Sequence, residues 1–244
     1  MADVTTRARW QRIRYSFESL GWRRATHELL THRRPYEPAD DLRFDTEHGT
    51  DTAGAVEPER LGIDDADVRS SAIRYLPSPV SVTDWILDRV EVDPASATFV
   101  DLGCGKGRVL LVAARRPFRR VVGVEISSEL AGIARRNVEQ YRPPPPLRSE
   151  IEVINADVTT VDLPATDLLV HLYHPFETSI FAEVLQRLED SLAGTPRRVT
   201  IAYLAYSAAV GSVVETMDRF PWLHLVRYEQ SIRGHYDCMF WTNH

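Results

Sequence analysis

Short apolar runs alternate along most of the chain with stretches whose apolar residues recur at helical spacing. Runs rich in Val, Ile and Leu predict buried strands, and they lie near residues 98–102, 120–125, 151–157, 167–173 and 198–204. Helical patterns lie at residues 80–90, 109–114 and 128–140 and near 177–192 and 207–219. Two late strand patterns, near 222–229 and 235–242, follow with Gly234 between them. This alternation predicts an α/β fold, a Rossmann-like seven-stranded sheet with helices on both faces and a C-terminal antiparallel hairpin.

A glycine-rich turn separates the first of these strands from its helix. Its sequence is Asp101-Leu-Gly-Cys-Gly-Lys-Gly107, so that Gly103, Gly105 and Gly107 alternate with other residues. A dinucleotide fingerprint needs two residues between its second and third glycines, and this turn has one. Asp101 offers a hydrogen-bond acceptor ahead of the glycines, which favours a cationic or amine-bearing ligand over a pyrophosphate.

Two further acids end the next two strand patterns. Glu125 lies 18 residues beyond Gly107, the usual place for a carboxylate that accepts both ribose hydroxyls. Asp157 ends the third pattern, where its side chain could accept an adenine amino proton. Because the carboxyl ends of parallel strands meet at one edge of a sheet, we expect the three acids to share a single site.

Together these residues resemble the motifs of class I S-adenosylmethionine-dependent methyltransferases. Residues 100–107 are similar to the first motif of that family, Glu125 to its ribose acid and Ala156-Asp157 to its adenine contact. The resemblance spans roughly residues 75–244 and implies S-adenosyl-L-methionine as cofactor and methyl transfer as activity. A likeness to the non-SET histone lysine methyltransferases, confined to the cofactor half, makes a protein lysine methyltransferase the alternative among enzymes. A nucleotide-binding Rossmann relative and a non-catalytic cofactor-binding module are the alternatives.

The first 75 residues differ in composition from the rest and are expected to form a helical and irregular N-terminal extension to a domain at 76–244. Residues 1–34 hold eight arginines against three acids. Trp10, Ile13, Phe17 and Leu20 recur there at helical spacing, which predicts an amphipathic helix docked on the domain, with an RNA or membrane contact as the alternative. Residues 36–67 hold eleven acids against two arginines and have no periodicity, which predicts a long irregular segment, either a lid or a linker.

Within the acidic segment, Phe44-Asp-Thr-Glu-His-Gly-Thr-Asp-Thr52 is rich in hydrogen-bonding groups. Uncharacterised bacterial methyltransferases carry a similar Phe/Tyr-Asp-x-x-x-Gly-x-Asp-Thr segment ahead of Arg-Tyr-x-Pro-x-Pro, which stands here at residues 74–79. The resemblance implies that this segment is a lid or a wall of the acceptor pocket, and that Tyr75 contributes to cofactor binding.

The amino-acid composition limits the classes of partner and of bound metal that are expected for this chain. The net charge of −6 and the pI near 5.8 argue against a general nucleic-acid binder, although a local basic patch could steer an anionic partner. Bulk charge does not name the substrate, and a small-molecule acceptor is the first hypothesis. Cys104 and Cys238 are too few for a disulfide framework, which favours a reducing cytoplasm. No apolar run approaches the roughly 20 residues of a membrane span, and the histidines and cysteines are too scattered for a metal site.

The end of the fourth strand faces the cofactor's methyl group in this fold. Related enzymes hold an amine there with Asn/Asp-Pro-Pro-Tyr/Phe, whereas this chain has His174-Pro-Phe176. The difference argues against the amine chemistry of those enzymes. We expect a hydroxyl or nitrogen of a small, partly apolar acceptor, with His174 as base or orienting acceptor and Tyr173 beside it, because histidine titrates near neutrality. Further candidates for the proton-accepting role are His171, His48, His235 and Asp237. Alignment of the reactants alone is the alternative to any base.

Overall fold

The computed structural model describes residues 38–62, 74–142, 148–205, 209–230 and 236–244. In this part of the chain seven strands form one sheet in the order β3-β2-β1-β4-β5-β7-β6. The strands are β1 Ala97–Leu102, β2 Arg120–Glu125, β3 Ile151–Asn155, β4 Asp167–Tyr173, β5 Val199–Ala205, β6 His224–Gln230 and β7 Asp237–Thr242. Strands β1 to β5 are parallel, β7 is antiparallel to β5, and β6 is antiparallel to β7. The predicted Rossmann-like sheet and its C-terminal antiparallel pair are confirmed.

Helices cover both faces of this sheet. They are α1 Pro38–His48, α2 Val80–Leu87, α3 Arg108–Ala113, α4 Ser128–Gln140, α5 Thr178–Gly194 and α6 Val210–Met217, with a 3-10 helix at Pro58–Arg60. Successive strand residues point to opposite faces. Phe99 therefore packs in a core with α2 and α3, and Val100 packs in a second core with α5 and α6. Burial on both faces explains why the central strands read as continuous apolar runs.

The elements around the predicted site begin and end close to the predicted residues. Ser127 caps α4 by accepting a hydrogen bond from the Leu130 amide, 3.1 Å away, and the Ser127 hydroxyl donates to the Leu61 carbonyl. Glu125 is the last residue of β2. The prediction that Asp157 ends β3 is wrong by two residues, because pairing with β2 stops at Asn155, whose side-chain amide donates to the carbonyls of Glu125 and Ile126.

The expectation of an irregular segment over residues 36–67 is wrong for α1. Its sequence is polar, so no apolar stripe marks it as a helix, but Phe44 is buried against Tyr141 with the ring centroids 5.8 Å apart. Packing of Phe44 and His48 on Tyr141 thus outweighs the missing periodicity. Residues 49–62 are irregular apart from the 3-10 helix, as expected. The predicted basic helix in residues 1–34 and the turn residue Gly234 lie outside the described residues.

Candidate functional site

A cavity of about 320 Å³ opens at the carboxyl ends of β1, β2 and β4. This volume is at the lower end of the range of small-ligand pockets, roughly 300–1,000 Å³. The structure brings together eight of the predicted candidates in its lining: Tyr75, Asp101, Gly103, Glu125, Asp157, His171, Tyr173 and His174. Leu61 and Ser78, from the segment that precedes the sheet, also line it. Gly105, Gly107 and His48 are not among the lining residues.

The glycine turn is packed too closely for side chains. Gly103, Gly105 and Gly107 all have positive φ, at 80°, 54° and 85°. A Cβ on Gly103 would lie 2.4 Å from Cβ of Pro175, and one on Gly105 would lie 2.2 Å from the Tyr75 ring. Pro175 and Tyr75 therefore cover the turn from the two ends of the cavity, and glycine is required at both positions by backbone angle and by space.

Glu125 is held by the backbone on both sides. Its Oε2 accepts from the Gly105 amide and its Oε1 from the Ser127 amide, each at 2.8 Å. Burial raises the pKa of this carboxyl, and the two amide hydrogen bonds oppose that rise. Because each carboxylate oxygen can accept more than one hydrogen bond, acceptor sites are left for a pair of hydroxyls in the cavity.

Asp157 lies in the loop after β3 and is oriented by Thr159. Both the Thr159 amide, at 2.8 Å, and the Thr159 hydroxyl, at 2.7 Å, donate to Asp157 Oδ1. The carboxylate thereby keeps a fixed direction at the edge of the cavity, and its second oxygen can accept a proton from an amino group.

Asp101 has a partner that the sequence analysis did not assign to it. The register of β1 against β4 places Asp101 opposite His171, and Asp101 Oδ1 lies 2.7 Å from His171 Nδ1. Both side chains are buried, at 3% and 1% exposure. Strands β1 and β4 are neighbours in the sheet but far apart in the sequence. Their register brings the pair together, so no local sequence pattern predicts it.

His174 lies just beyond β4 in a left-handed conformation, with φ of 38°. Its Nδ1 is 3.0 Å from the hydroxyl of Tyr203, which is buried in β5. Burial lowers the pKa of His174 and raises that of Tyr203, so both are neutral near pH 7. A non-glycine residue with positive φ costs backbone energy, and such strain is concentrated at functional sites.

Of the other proton-acceptor candidates, His171 lines the cavity, whereas His48 and Asp237 do not. His48 packs against Phe44 and Tyr141, with 4.8 Å between ring centroids in each case, and the structure does not bring it to the cavity. Burial and the neighbouring Arg115 lower its pKa. Asp237 is buried in β7 and accepts a hydrogen bond from Tyr228 at 2.8 Å. His235 lies outside the described residues.

The segment that resembles bacterial methyltransferases binds to the glycine turn from outside the cavity. Asp45 accepts hydrogen bonds from Thr50, Thr52 and Ala53, which fixes the loop after α1. This loop in turn holds the turn residues through Lys106–Asp51 at 2.8 Å and Arg108–Thr52 at 2.7 Å. We call residues 44–53 with Lys106 and Arg108 the clamp. Arg108 lines the cavity and residues 44–53 do not, so this part of the chain holds the turn from its outer side.

The described residues contain no group of three or more His, Cys, Asp or Glu that could hold a metal ion. The same part of the chain has no helix with the length and apolar character needed to cross a membrane.

Known proteins resemble this chain in two ways, through a family model and through their fold. A family model described as a methyltransferase domain matches residues 99–193, from β1 almost to the end of α5. These residues form a methyltransferase domain. The match includes the glycine turn, Glu125, Asp157 and the end of β4. The predicted methyltransferase activity and S-adenosyl-L-methionine as its cofactor are thereby confirmed. No curated protein matches the chain by sequence.

Solved structures share the methyltransferase fold at low identity. An S-adenosylmethionine-dependent methyltransferase from Aquifex aeolicus is 13% identical, with a TM-score of 0.51 over 86% of this chain and 100% of the other. A ribosomal protein methylase from Lactobacillus delbrueckii subsp. bulgaricus is 13% identical, with a TM-score of 0.50 over 66% and 75%. TrmN from Thermus thermophilus is 19% identical, with a TM-score of 0.50 over 66% and 47%. The predicted class I fold is confirmed by these likenesses, which leave the acceptor open.

Proposed function

We propose that this methyltransferase acts on an oxygen or nitrogen atom of a small, partly apolar molecule. The observation that carries the proposal is the end of the cavity formed after β4. Tyr173, Pro175, Phe176 and Ile180 form an aromatic and apolar wall there, and His174 lies among them. An apolar wall with one titratable group suits a small acceptor that carries a single reactive hydroxyl or nitrogen.

The cofactor fits the other end of the same cavity. The carboxylates of Asp101, Glu125 and Asp157 lie at or just after the ends of three adjacent strands. Glu125 would accept hydrogen bonds from the ribose hydroxyls, and Asp157 would accept one from the adenine amino group. Tyr75 and Gly103 line the space beside the glycine turn. When bound, S-adenosyl-L-methionine supplies the methyl group on its sulfonium.

His174 has the geometry of a proton acceptor. With the imidazole neutral and Nδ1 donating to the Tyr203 oxygen, Nε2 presents a lone pair for the acceptor's proton. The buried phenol is a neutral partner that can accept from Nδ1–H or donate to a bare Nδ1, so the base role requires the tautomer that is protonated at Nδ1. The remaining work of the site is to align the acceptor with the methyl group and to exclude water.

The experiment is methyl transfer from radiolabelled S-adenosyl-L-methionine to fractionated cell extracts. We expect label in the small-molecule fraction; exact mass then gives the product's composition, and the NMR chemical shift of the new methyl group shows whether it is bonded to oxygen or nitrogen. Label in the protein fraction would support the protein methyltransferase alternative, and label in RNA would show a nucleic-acid acceptor; either overturns the proposal. Cofactor binding without transfer to any fraction would indicate a non-catalytic module. A Glu125→Ala variant controls for label that is independent of the site.

A further inference from the structure

Two buried polar atoms at the cavity lack hydrogen-bond partners. Among the described residues, neither Ser78 Oγ nor His171 Nε2 has one, although the two side chains are only 4% and 1% exposed. Both residues line the cavity. A buried polar atom left unpaired costs about 1–3 kcal/mol, so two of them in one ligand cavity indicate that a ligand supplies the partner.

The hydrogen-bonding role of His171 is fixed by Asp101. A carboxylate can only accept, so the proton at the 2.7 Å contact lies on His171 Nδ1. When the ring carries only that proton, Nε2 presents a lone pair. The paired register of β1 and β4 and the Phe99 ring, whose centroid is 6.1 Å from that of His171, hold the imidazole in place. His171 Nε2 is thus an oriented acceptor with a carboxylate behind it.

Ser78 supplies a second polar atom without a partner among the described residues, in the lining of the same cavity. It lies directly before Pro79, the residue that begins the turn into α2, and its hydroxyl can also accept. An imidazole lone pair, a hydroxyl oxygen and a nearby negative charge select a donor, and a cationic donor most strongly. S-adenosyl-L-methionine carries one such group, the α-ammonium of its amino-acid end.

We infer that His171 Nε2 and Ser78 Oγ, with Asp101 behind His171, bind the α-ammonium group of the cofactor. The inference rests on the proposed placement of the cofactor in this cavity and adds the two residues that would orient its amino-acid end. In this arrangement Asp101 acts through His171 as a positioning residue.

Calorimetry with three ligands tests it. S-adenosyl-L-methionine has both the ammonium and the carboxylate, its decarboxylated form keeps only the ammonium, and 5′-methylthioadenosine has neither. Ser78→Ala removes a hydroxyl that has no described protein partner, so the fold is expected to remain intact. We expect it to weaken the first two ligands by about five- to tenfold and to leave methylthioadenosine unchanged. Ser81→Ala, at an exposed position on α2, is the matched control.

His171 provides the second arm. His171→Phe should weaken the two ammonium ligands by about tenfold or more, and His171→Gln, whose amide can donate to Asp101 and accept from the ligand, should recover part of that loss. Weakening of the complete cofactor but not of its decarboxylated form would show a carboxylate contact and overturn the inference. Equal effects on all three ligands, or none, would do the same. A wild-type protein that binds none of them would overturn the placement of the cofactor itself.

Discussion

At the scale of single residues, Glu125 is the clearest test of cofactor placement. Its carboxylate is buried and directed by two amides, so it is preorganised to accept the ribose hydroxyls. We expect Glu125→Ala to weaken S-adenosyl-L-methionine by about tenfold or more, because hydrogen bonds to a charged group contribute about 1.5–3 kcal/mol. Calorimetry measures the change. NAD binding more tightly than S-adenosyl-L-methionine would favour the nucleotide-binding Rossmann alternative.

Glu125 also holds the Gly105 and Ser127 amides, so the variant must be shown to be folded. Glu139→Ala, at an exposed position on α4, is the matched control and should leave affinity unchanged. If folded Glu125→Ala binds as tightly as wild type, Glu125 is a structural residue of the turn and the ribose lies elsewhere.

His174 gives a prediction about rate and pH. If it accepts the proton, His174→Ala should lower turnover by about 10²–10⁴-fold with cofactor affinity nearly unchanged. The base must be unprotonated, and burial lowers its pKa below the ordinary 6.5. Turnover should therefore be constant at higher pH and fall as pH decreases through a value below 6.5.

The control for a packing role is His174→Gln, which keeps a hydrogen bond to Tyr203 but cannot take up a proton. Turnover of this variant should be low at every pH between 6 and 9. Its pH–rate profile should not show the fall at low pH that is expected for the wild type. Full activity across that range would show that alignment alone carries the reaction.

At the scale of elements, α1 and the loop after it stabilise the glycine turn. Asp45 accepts four hydrogen bonds from three residues of that loop, so Asp45→Ala leaves these donors without their partner. We expect a loss of about 2–3 kcal/mol in the free energy of unfolding, measured by urea denaturation. Weaker cofactor binding should accompany it, because the loop holds Lys106 and Arg108.

Glu47→Ala on the same helix is the control for this effect. Glu47 is exposed and paired with Arg43 one helical turn away, so its loss should change stability little. Equal stabilities of the two variants would mean that the clamp does not support the turn.

Elements whose signal is local were predictable from the sequence, and those held by distant contacts were not. Helix α4 and strand β2 have apolar periodicity and a Ser127 cap, so their limits follow from the sequence. Helix α1 depends on Phe44 packing against Tyr141, almost a hundred positions away, which no local pattern reports. For the same reason the acids of the site were predictable, whereas the Asp101–His171 pair depends on strand register.

At the scale of the whole molecule, the segment before the sheet lies beside the cavity. Leu61 lines it, Val56 pairs with Tyr75 in an isolated bridge, and Tyr75 covers Gly105. We expect S-adenosyl-L-homocysteine to slow proteolytic cleavage within residues 36–67, because ligand contacts should favour the packed form of this segment. Digestion with and without the ligand measures it, with NAD as the control ligand. Cleavage at equal rates would favour the linker alternative and contradict a lid.

The clamp determines where the chain can be truncated without loss of contacts to the glycine turn. The recognised domain begins at residue 99, and the division predicted from composition falls after residue 75, yet Lys106 and Arg108 bind residues on the far side of both boundaries. A fragment starting at residue 76 would retain the whole sheet and all three acids but would remove Asp51 and Thr52 from two nearly buried cations. Shortened versions made for crystallography or screening should therefore begin before α1. Sequence comparisons limited to the matched domain would miss the residues that keep its ligand turn in shape.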